Sequence, residues 1–209
     1  MDSTQGRQYH ACYVDWQRTL YQIHWQGEMQ YPDLATFPQI PGVHVEIASW
    51  SQQLQALWAN SQLINFGADA FIVCTHTVSK PIYKIAFPRE EAQQRLAHEV
   101  SIMEQMRLAD VPIPDFDSAS ITENGKVVAF RLERLRSLGF DKVRERVEDV
   151  RATVSLLHKA GFVHGDLTPS NIMLRENDEI VLIDFGYSGR WPASDYRVDE
   201  KRLDEFFPR

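Results

Sequence analysis

Two short segments near the C-terminal end restrict what this chain can fold into. The first reads VHGDLTPSN over 163–171 and the second VLIDFG over 181–186. Between them lie the apolar triplet Ile172-Met173-Leu174, the polar turn Glu176-Asn177-Asp178 and an apolar run over 180–183. Short apolar runs bounded by turn residues read as buried strands. A strand–turn–strand pair brings the chain back to the end where it began. Asp166 and Asn171 precede the first strand and Asp184 closes the second, so the spacing gathers two carboxylates and an amide at one place.

Composition fits a globular unit around that place. The chain has 209 residues, 44% hydrophobic and 24% charged. That length suits one domain or one two-lobed unit with a real core. Acidic residues outnumber basic ones, 29 to 22, for a net charge of −7. A direct nucleic-acid binder carries a basic face, so no direct nucleic-acid contact is expected. Cys12 and Cys74 are too few for a disulfide framework and read as small buried thiols. The first 15 residues lack a signal-peptide core, and no apolar run approaches the ~18 residues of a membrane span. These features point to a reducing compartment, cytoplasmic or nuclear, without a membrane partner.

Along the chain, Thr19 to Trp25 partly alternates, as a half-buried strand does. The stretch 31–42 holds Pro32, Pro38, Pro41 and Gly42 and reads as a connector. Val43, Val45 and Ile47 alternate as a short strand. Ser49 or Ser51 can cap a helix bearing Trp50, Leu54, Leu57 and Trp58. From residue 62 the pattern changes. Two strands flank Gly67-Ala68-Asp69, a third spans 81–86, and a helix is expected over 89–108. Another strand covers 127–132. A long helix is expected over 142–160, with Val143, Val147, Val150, Val154 and Leu157 on one face and Gly161 as its stop. A last helix is expected over 199–207. The fold class is α+β in two lobes, divided as 1–60 an N-terminal extension, 61–133 a strand-rich lobe and 134–209 a short second lobe.

Transfer of the γ-phosphoryl group of ATP needs positioning and charge neutralisation more than covalent chemistry. Magnesium prefers oxygen ligands and needs few from the protein, because phosphates and waters complete its shell. Asp166 can orient an attacking hydroxyl. Asn171 and Asp184 can hold the metal. A lysine is needed on the phosphates. Lys84 sits between apolar Ile82 and Ile85, where a lysine needs a partner. Glu99 lies on the stripe Ala92, Leu96, Glu99, Met103, Met106 and is the obvious one. Trp16, Trp25, Trp50 and Trp58 in the first 60 residues can cover the strand-rich lobe or bind a partner.

Together these motifs resemble the protein-kinase signature over about residues 62–207. HGDLTPSN is similar to the catalytic loop, IDFG to the metal-binding triplet and IYKIA to the phosphate-lysine strand. FGADAF resembles a reduced glycine loop, with one Gly where the usual pattern has three. The resemblance implies ATP and Mg2+ as cofactors. It implies Asp166, Lys84 and Asn171 as catalytic residues, with Asn171 and Asp184 on the metal. It further implies Gly67, Ala68, Lys84, Glu99 and Asp184 around the nucleotide, Leu132 guarding the adenine pocket, and backbone groups of Glu133 and Leu135 facing adenine. His164 is implied to hold the loop by backbone hydrogen bonds, while His158 is expected at the surface. Gly165 stands where typical protein kinases carry Arg, and Thr168 where Ser/Thr kinases carry Lys. HGD is shared with aminoglycoside and choline kinases. HGDLTxSN, with GADAFIV, VPIPDF and IDFGYS, is more similar to the small atypical kinase of the KEOPS tRNA-modification complex; RIO kinases are more distant. The chain ends 23 residues after Gly186, which leaves no room for a long activation segment and later helices. The expected activity is ATP- and magnesium-dependent phosphorylation of Ser/Thr on a protein partner or on itself. A small-molecule kinase and a non-catalytic interaction module are the alternatives.

Overall fold

A computed structural model describes residues 9–28, 30–76, 79–117, 121–139, 142 and 145–208. It contains two compact units, Met1–Gln62 and Leu63–Arg209.

In the first unit, strands β1 (Tyr9–Trp16), β2 (Thr19–Gln26) and β3 (His44–Ile47) form an antiparallel sheet in that order. Ile23, Trp25, Phe37 and Ile40 make its small core. Helix α1 (Gln52–Ala59) starts where Ser51 Oγ accepts from the Leu54 N–H at 3.3 Å. Of the two candidate caps, Ser51 is therefore the one used. Leu54 and Trp58 are its buried residues, while Trp50 precedes the helix. Strand β1 was not expected, because YHACYVDW mixes polar and apolar residues without clean alternation and none of it is fully buried. Cys12 and Cys74 are free thiols, but both are half-buried rather than buried.

The second unit begins with a five-stranded sheet. Its strands are β4 (Gln62–Phe66), β5 (Ala70–Cys74), β6 (Ile82–Ala86), β7 (Ile121–Glu123) and β8 (Lys126–Leu132), in the order β4-β5-β6-β8-β7. Helix α2 (Glu90–Leu108) buries Ala92, Leu96, Glu99, Met103 and Met106, the stripe expected from spacing.

After β9 (Arg136–Ser137) comes helix α3 (Val147–Lys159). The expected 142–160 helix is interrupted rather than continuous: Lys142 and Glu145 are helical, but Arg146 leaves helical geometry at φ −113°, ψ 25°, and its Nε donates to Asp149 Oδ2 at 2.8 Å. Val143 lies outside the described residues. Gly161, at φ +82°, ends the helix as expected of a left-handed stop. Strands β10 (Phe162–Val163), β11 (Ile172–Leu174), β12 (Ile180–Leu182) and β13 (Gly189–Arg190) follow, then α4 (Arg197–Phe206). β11 pairs antiparallel with both β12 and β9, and β10 pairs with β13. One apolar cluster runs from α2 through Phe130 and α3 to Leu203 and Phe207. The result is the expected α+β class, a strand-rich lobe followed by a short helix-and-hairpin lobe. No helix among the described residues is long and apolar enough to cross a membrane.

Candidate active site

Lys84 occupies the middle of β6, opposite Ile72 on β5 and Phe130 on β8. β6 is paired along both edges, and the Lys84 side chain is only 12% exposed. Its Nζ donates to both Glu99 oxygens, at 2.9 and 2.7 Å, and to Asp184 Oδ1 at 2.8 Å. Burial disfavours the ammonium, but the Glu99 and Asp184 carboxylates outweigh that and hold Lys84 above its ordinary range. Burial works against the Asp184 carboxylate too, and Lys84 overcomes it and keeps Asp184 below its ordinary range. Lys84 and Asp184 therefore both favour the charged forms. Asp184 itself stands at φ +69°, ψ +62°. Asp tolerates this left-handed conformation better than bulkier residues, and such outliers concentrate at functional sites.

Residues 164–171 form a loop fastened from several sides. His164 is fully buried. Its Nε2 lies 3.0 Å from the Ile183 carbonyl, and the Asp166 N–H donates to Nδ1 at 3.3 Å. These contacts assign the proton to Nε2. Asn171 Nδ2 donates to the Asp166 carbonyl at 2.8 Å, and the Ile183 N–H donates to the Asn171 carbonyl at 3.0 Å. Lys84, Glu99 and Asp184 thus meet directly, Asp166 and Asn171 are linked to each other, and His164 and Asn171 tie that loop to the strand end that leads to Asp184. His164 holds the loop, as expected.

Asp199, in the first turn of α4, is the anchor that sequence reasoning missed. It is fully buried, and its carboxylate accepts from the His164 N–H at 2.7 Å and the Gly165 N–H at 2.9 Å. His158 Nε2 lies 2.9 Å from the same carboxylate. Burial would raise the Asp199 pKa, but these hydrogen bonds hold it below the usual carboxylate range. A signal was present: Asp199 and Leu203 share the buried face of α4, so an acid sits on an apolar stripe, as Glu99 does. His158 was expected at the surface, but the structure turns it inward. Its side chain is only 19% exposed and is spent on Asp199.

Gly165 explains its own identity. Its φ is +81°, and an added Cβ would run into the Tyr187 carbonyl. Neither Ala nor Arg fits that backbone. Gly165→Ala is expected to lower unfolding free energy by about 1–3 kcal/mol, read as a shift of the urea midpoint at unchanged slope. Gly67 differs: its φ is ordinary and nothing lies within 4 Å of the Cβ position.

The segment after β8 has one backbone donor already committed. The Glu133 N–H donates to the Asp115 carbonyl at 2.8 Å. The Glu133 side chain turns to Arg175 Nε, 3.0 Å away, and Arg175 Nη1 reaches Glu179 at 2.6 Å. Leu132 and Leu135 are half-buried. Gly67 and Ala68 form the turn between β4 and β5, with the Gly67 N–H donating to the Ala70 carbonyl at 2.9 Å.

Among the described residues no cluster of three or more His, Cys, Asp or Glu could hold a metal alone. Asp184 and Asn171 offer one carboxylate and one amide oxygen. That donor set fits magnesium held jointly by protein and phosphates, not an all-protein cage. A cavity of about 560 Å³ elsewhere, bordered by His158, Trp191 and Tyr196, is lined by none of Lys84, Glu99, Asp166, Asn171 or Asp184.

The site also sets a pH dependence. Burial holds the His164 imidazole below its ordinary range. The unfolded chain therefore takes up that proton first as pH falls, and protonation favours unfolding. Stability should be full near neutrality and decline as pH drops through about 6.5. Asp184 and Asp199 are depressed carboxylates, so their contribution persists until pH falls below about 4. Urea midpoints between about pH 8 and 5 would check this, since a flat profile would contradict the His164 assignment.

Residues 76–201, more than half of the chain, match the family described as protein kinase domain. Mitogen-activated protein kinase 12 of Homo sapiens is 26% identical over 160 residues, covering 68% of this chain and 43% of that protein. The EKC/KEOPS complex subunit bud32 of Aspergillus oryzae is 39% identical over 71 residues, 28% of this chain and 26% of that protein. The corresponding BUD32 subunit of Cryptococcus neoformans is 35% identical over 118 residues, 52% of this chain and 40% of that protein. The chain thus spans less than half the length of each of these relatives.

Proposed function

Because this chain belongs to the protein kinase domain family, we propose that it is an ATP- and magnesium-dependent kinase that phosphorylates serine or threonine on a protein, itself included. The observation that carries this reading is Lys84, which grips Glu99 and Asp184 at once from β6. A lysine held there by an acid on α2 can be presented to phosphate oxygens without losing its charge. When bound, ATP supplies the transferable phosphoryl group and magnesium neutralises charge as it moves.

The roles of the chain's own residues follow. Lys84 binds phosphate oxygens, and Glu99 holds Lys84 in place. Asp184 and the Asn171 amide oxygen hold the metal. Asp166 orients the acceptor hydroxyl and takes its proton. Glu133, through its carbonyl, and Leu135, through its backbone, hold the adenine beside Leu132. The turn at Gly67 and Ala68 covers the phosphates. In this reading 61–133 is the nucleotide lobe, 134–209 the short acceptor lobe and 1–60 an extension.

The segment after Asp184 supports activity without a modification switch. Ser188 Oγ donates to the His164 carbonyl at 2.8 Å, His98 Nε2 lies 2.7 Å from the Ser188 carbonyl, and β13 is paired to β10. Nothing here waits for a phosphate to order it. The likeness to subunits of the EKC/KEOPS complex supports a protein partner for this chain.

The test is magnesium-dependent transfer of labelled phosphate from ATP to the chain itself and to a serine-rich protein, with Asp184→Ala alongside. Transfer to a hydroxyl in the parent and its loss in Asp184→Ala is the expected result. Equal transfer in both proteins would sink the assignment, and ATP consumption stimulated only by small alcohols or amino sugars would redirect it to a small-molecule kinase.

A further inference from the structure

The turn between β4 and β5 carries one glycine and an acid, a poor recipe for covering phosphates. An aspartate close to ATP would repel it unless neutralised. Asp69 is neutralised twice. Its Oδ1 lies 2.7 Å from Arg89 Nη2 and its Oδ2 lies 2.7 Å from Arg95 Nε. The second contact is off the N–H axis, so it is ionic rather than a directed hydrogen bond. Arg89 Nη2 also donates to the Ala68 carbonyl. The Phe87 N–H donates to the Asp69 carbonyl at 2.8 Å. The Asp69 side chain is 19% exposed, so these ion pairs are screened less than surface ones.

Arg95 extends the connection. Its guanidinium sits 4.1 Å from the centroid of the Tyr187 ring. Its Cγ lies 3.0 Å from where a Cβ on Gly186 would stand. One carboxylate on the turn therefore meets two guanidiniums at the start of α2, and one of those rests on the two residues that follow Gly186's neighbour Phe185. A flexible glycine-rich turn must be ordered when nucleotide binds, whereas a turn already pinned avoids that entropy cost. The cluster of one acid and two arginines also leaves the turn with net positive charge.

We propose that Asp69 is a positioning residue that locks the Gly67–Ala68 turn to α2 and, through Arg95, to the Gly186–Tyr187 segment, so that the phosphate cover and Asp184 are held as one body. This deepens the kinase reading and rests on it for the identity of what the turn covers. It also accounts for a turn that works with a single glycine: its position comes from side-chain ion pairs, not from backbone freedom.

The experiment uses the full chain as parent, Asp69→Asn, Asp69→Glu, Arg95→Gln and the Asp69→Asn/Arg95→Gln double variant. Amide hydrogen exchange without nucleotide is read at 66–71 and 85–87. Exchange should accelerate about tenfold in Asp69→Asn and Arg95→Gln, with the double variant no faster than the sum of two independent losses predicts and Asp69→Glu close to the parent. With Mg·ATP, KM should rise about tenfold in Asp69→Asn while kcat stays within about twofold. Unchanged exchange in the single variants would overturn the lock. Faster exchange with unchanged KM would overturn the positioning role. A parent that binds no ATP would defeat the kinase reading instead, and the exchange data would still decide whether Asp69 holds the turn.

Discussion

Asp166→Asn is expected to lower kcat for phosphoryl transfer by about 10²- to 10⁴-fold, the range a positioned proton acceptor supplies. ATP affinity and the urea midpoint should stay close to those of the parent. The reason is that the contacts fastening Asp166 run through its backbone: its N–H donates to His164 Nδ1, and its carbonyl accepts from Asn171 Nδ2. An amide in place of the carboxylate leaves both intact and removes only the group proposed to take the proton. Steady-state kinetics with calorimetric ATP titration would check this. A loss in kcat below about tenfold would mean that the carboxylate is not the group that handles the acceptor hydroxyl. A loss of ATP affinity of similar size would place Asp166 among the nucleotide's ligands instead.

Asp199→Asn is expected to destabilise the chain by about 3–5 kcal/mol, the cost of leaving buried partners of a charge unsatisfied. Three donors converge on this carboxylate: the backbone N–H groups of His164 and Gly165, and His158. An amide keeps one acceptor oxygen and turns an N–H2 toward another donor. Against a typical total of about 5–15 kcal/mol, that loss brings the fold near its threshold. Catalysis should fall with it, because the backbone on which Asp166 sits would be released. His158→Ala, which leaves both backbone donors paired with Asp199, should cost less, about 1 kcal/mol. Urea unfolding of the two variants decides the matter. An Asp199→Asn midpoint equal to the parent's would show that water replaces the three bonds and that Asp199 is no anchor.

Much of the candidate site's arrangement was legible in the sequence because it is written locally. Asp166, Asn171 and Asp184 are separated only by a hairpin, and hairpin return is a local property of apolar runs and turn residues. Lys84 and Glu99 were legible for another local reason: each breaks an apolar pattern, and a charge on a buried stripe calls for a partner. The same rule applies to Asp199, an acid that shares the buried face of α4 with Leu203.

Other features depend on approaches between distant segments, which no local pattern encodes. That Gly165 must be glycine follows only from the Tyr187 carbonyl lying against it. That His158 serves Asp199 follows from α3 and α4 meeting. The clamp on Asp69 needs two arginines, 20 and 26 residues further along the chain, brought back by β6 and the start of α2. Strand β1 has too mixed a pattern to declare itself and exists because β2 offers it a full set of backbone partners. The sequence by itself determined which residue types the site would contain and the order in which they come. Only the tertiary structure decided which backbone groups and charges close around them, because those contacts join segments whose spacing in the chain carries no periodic signal.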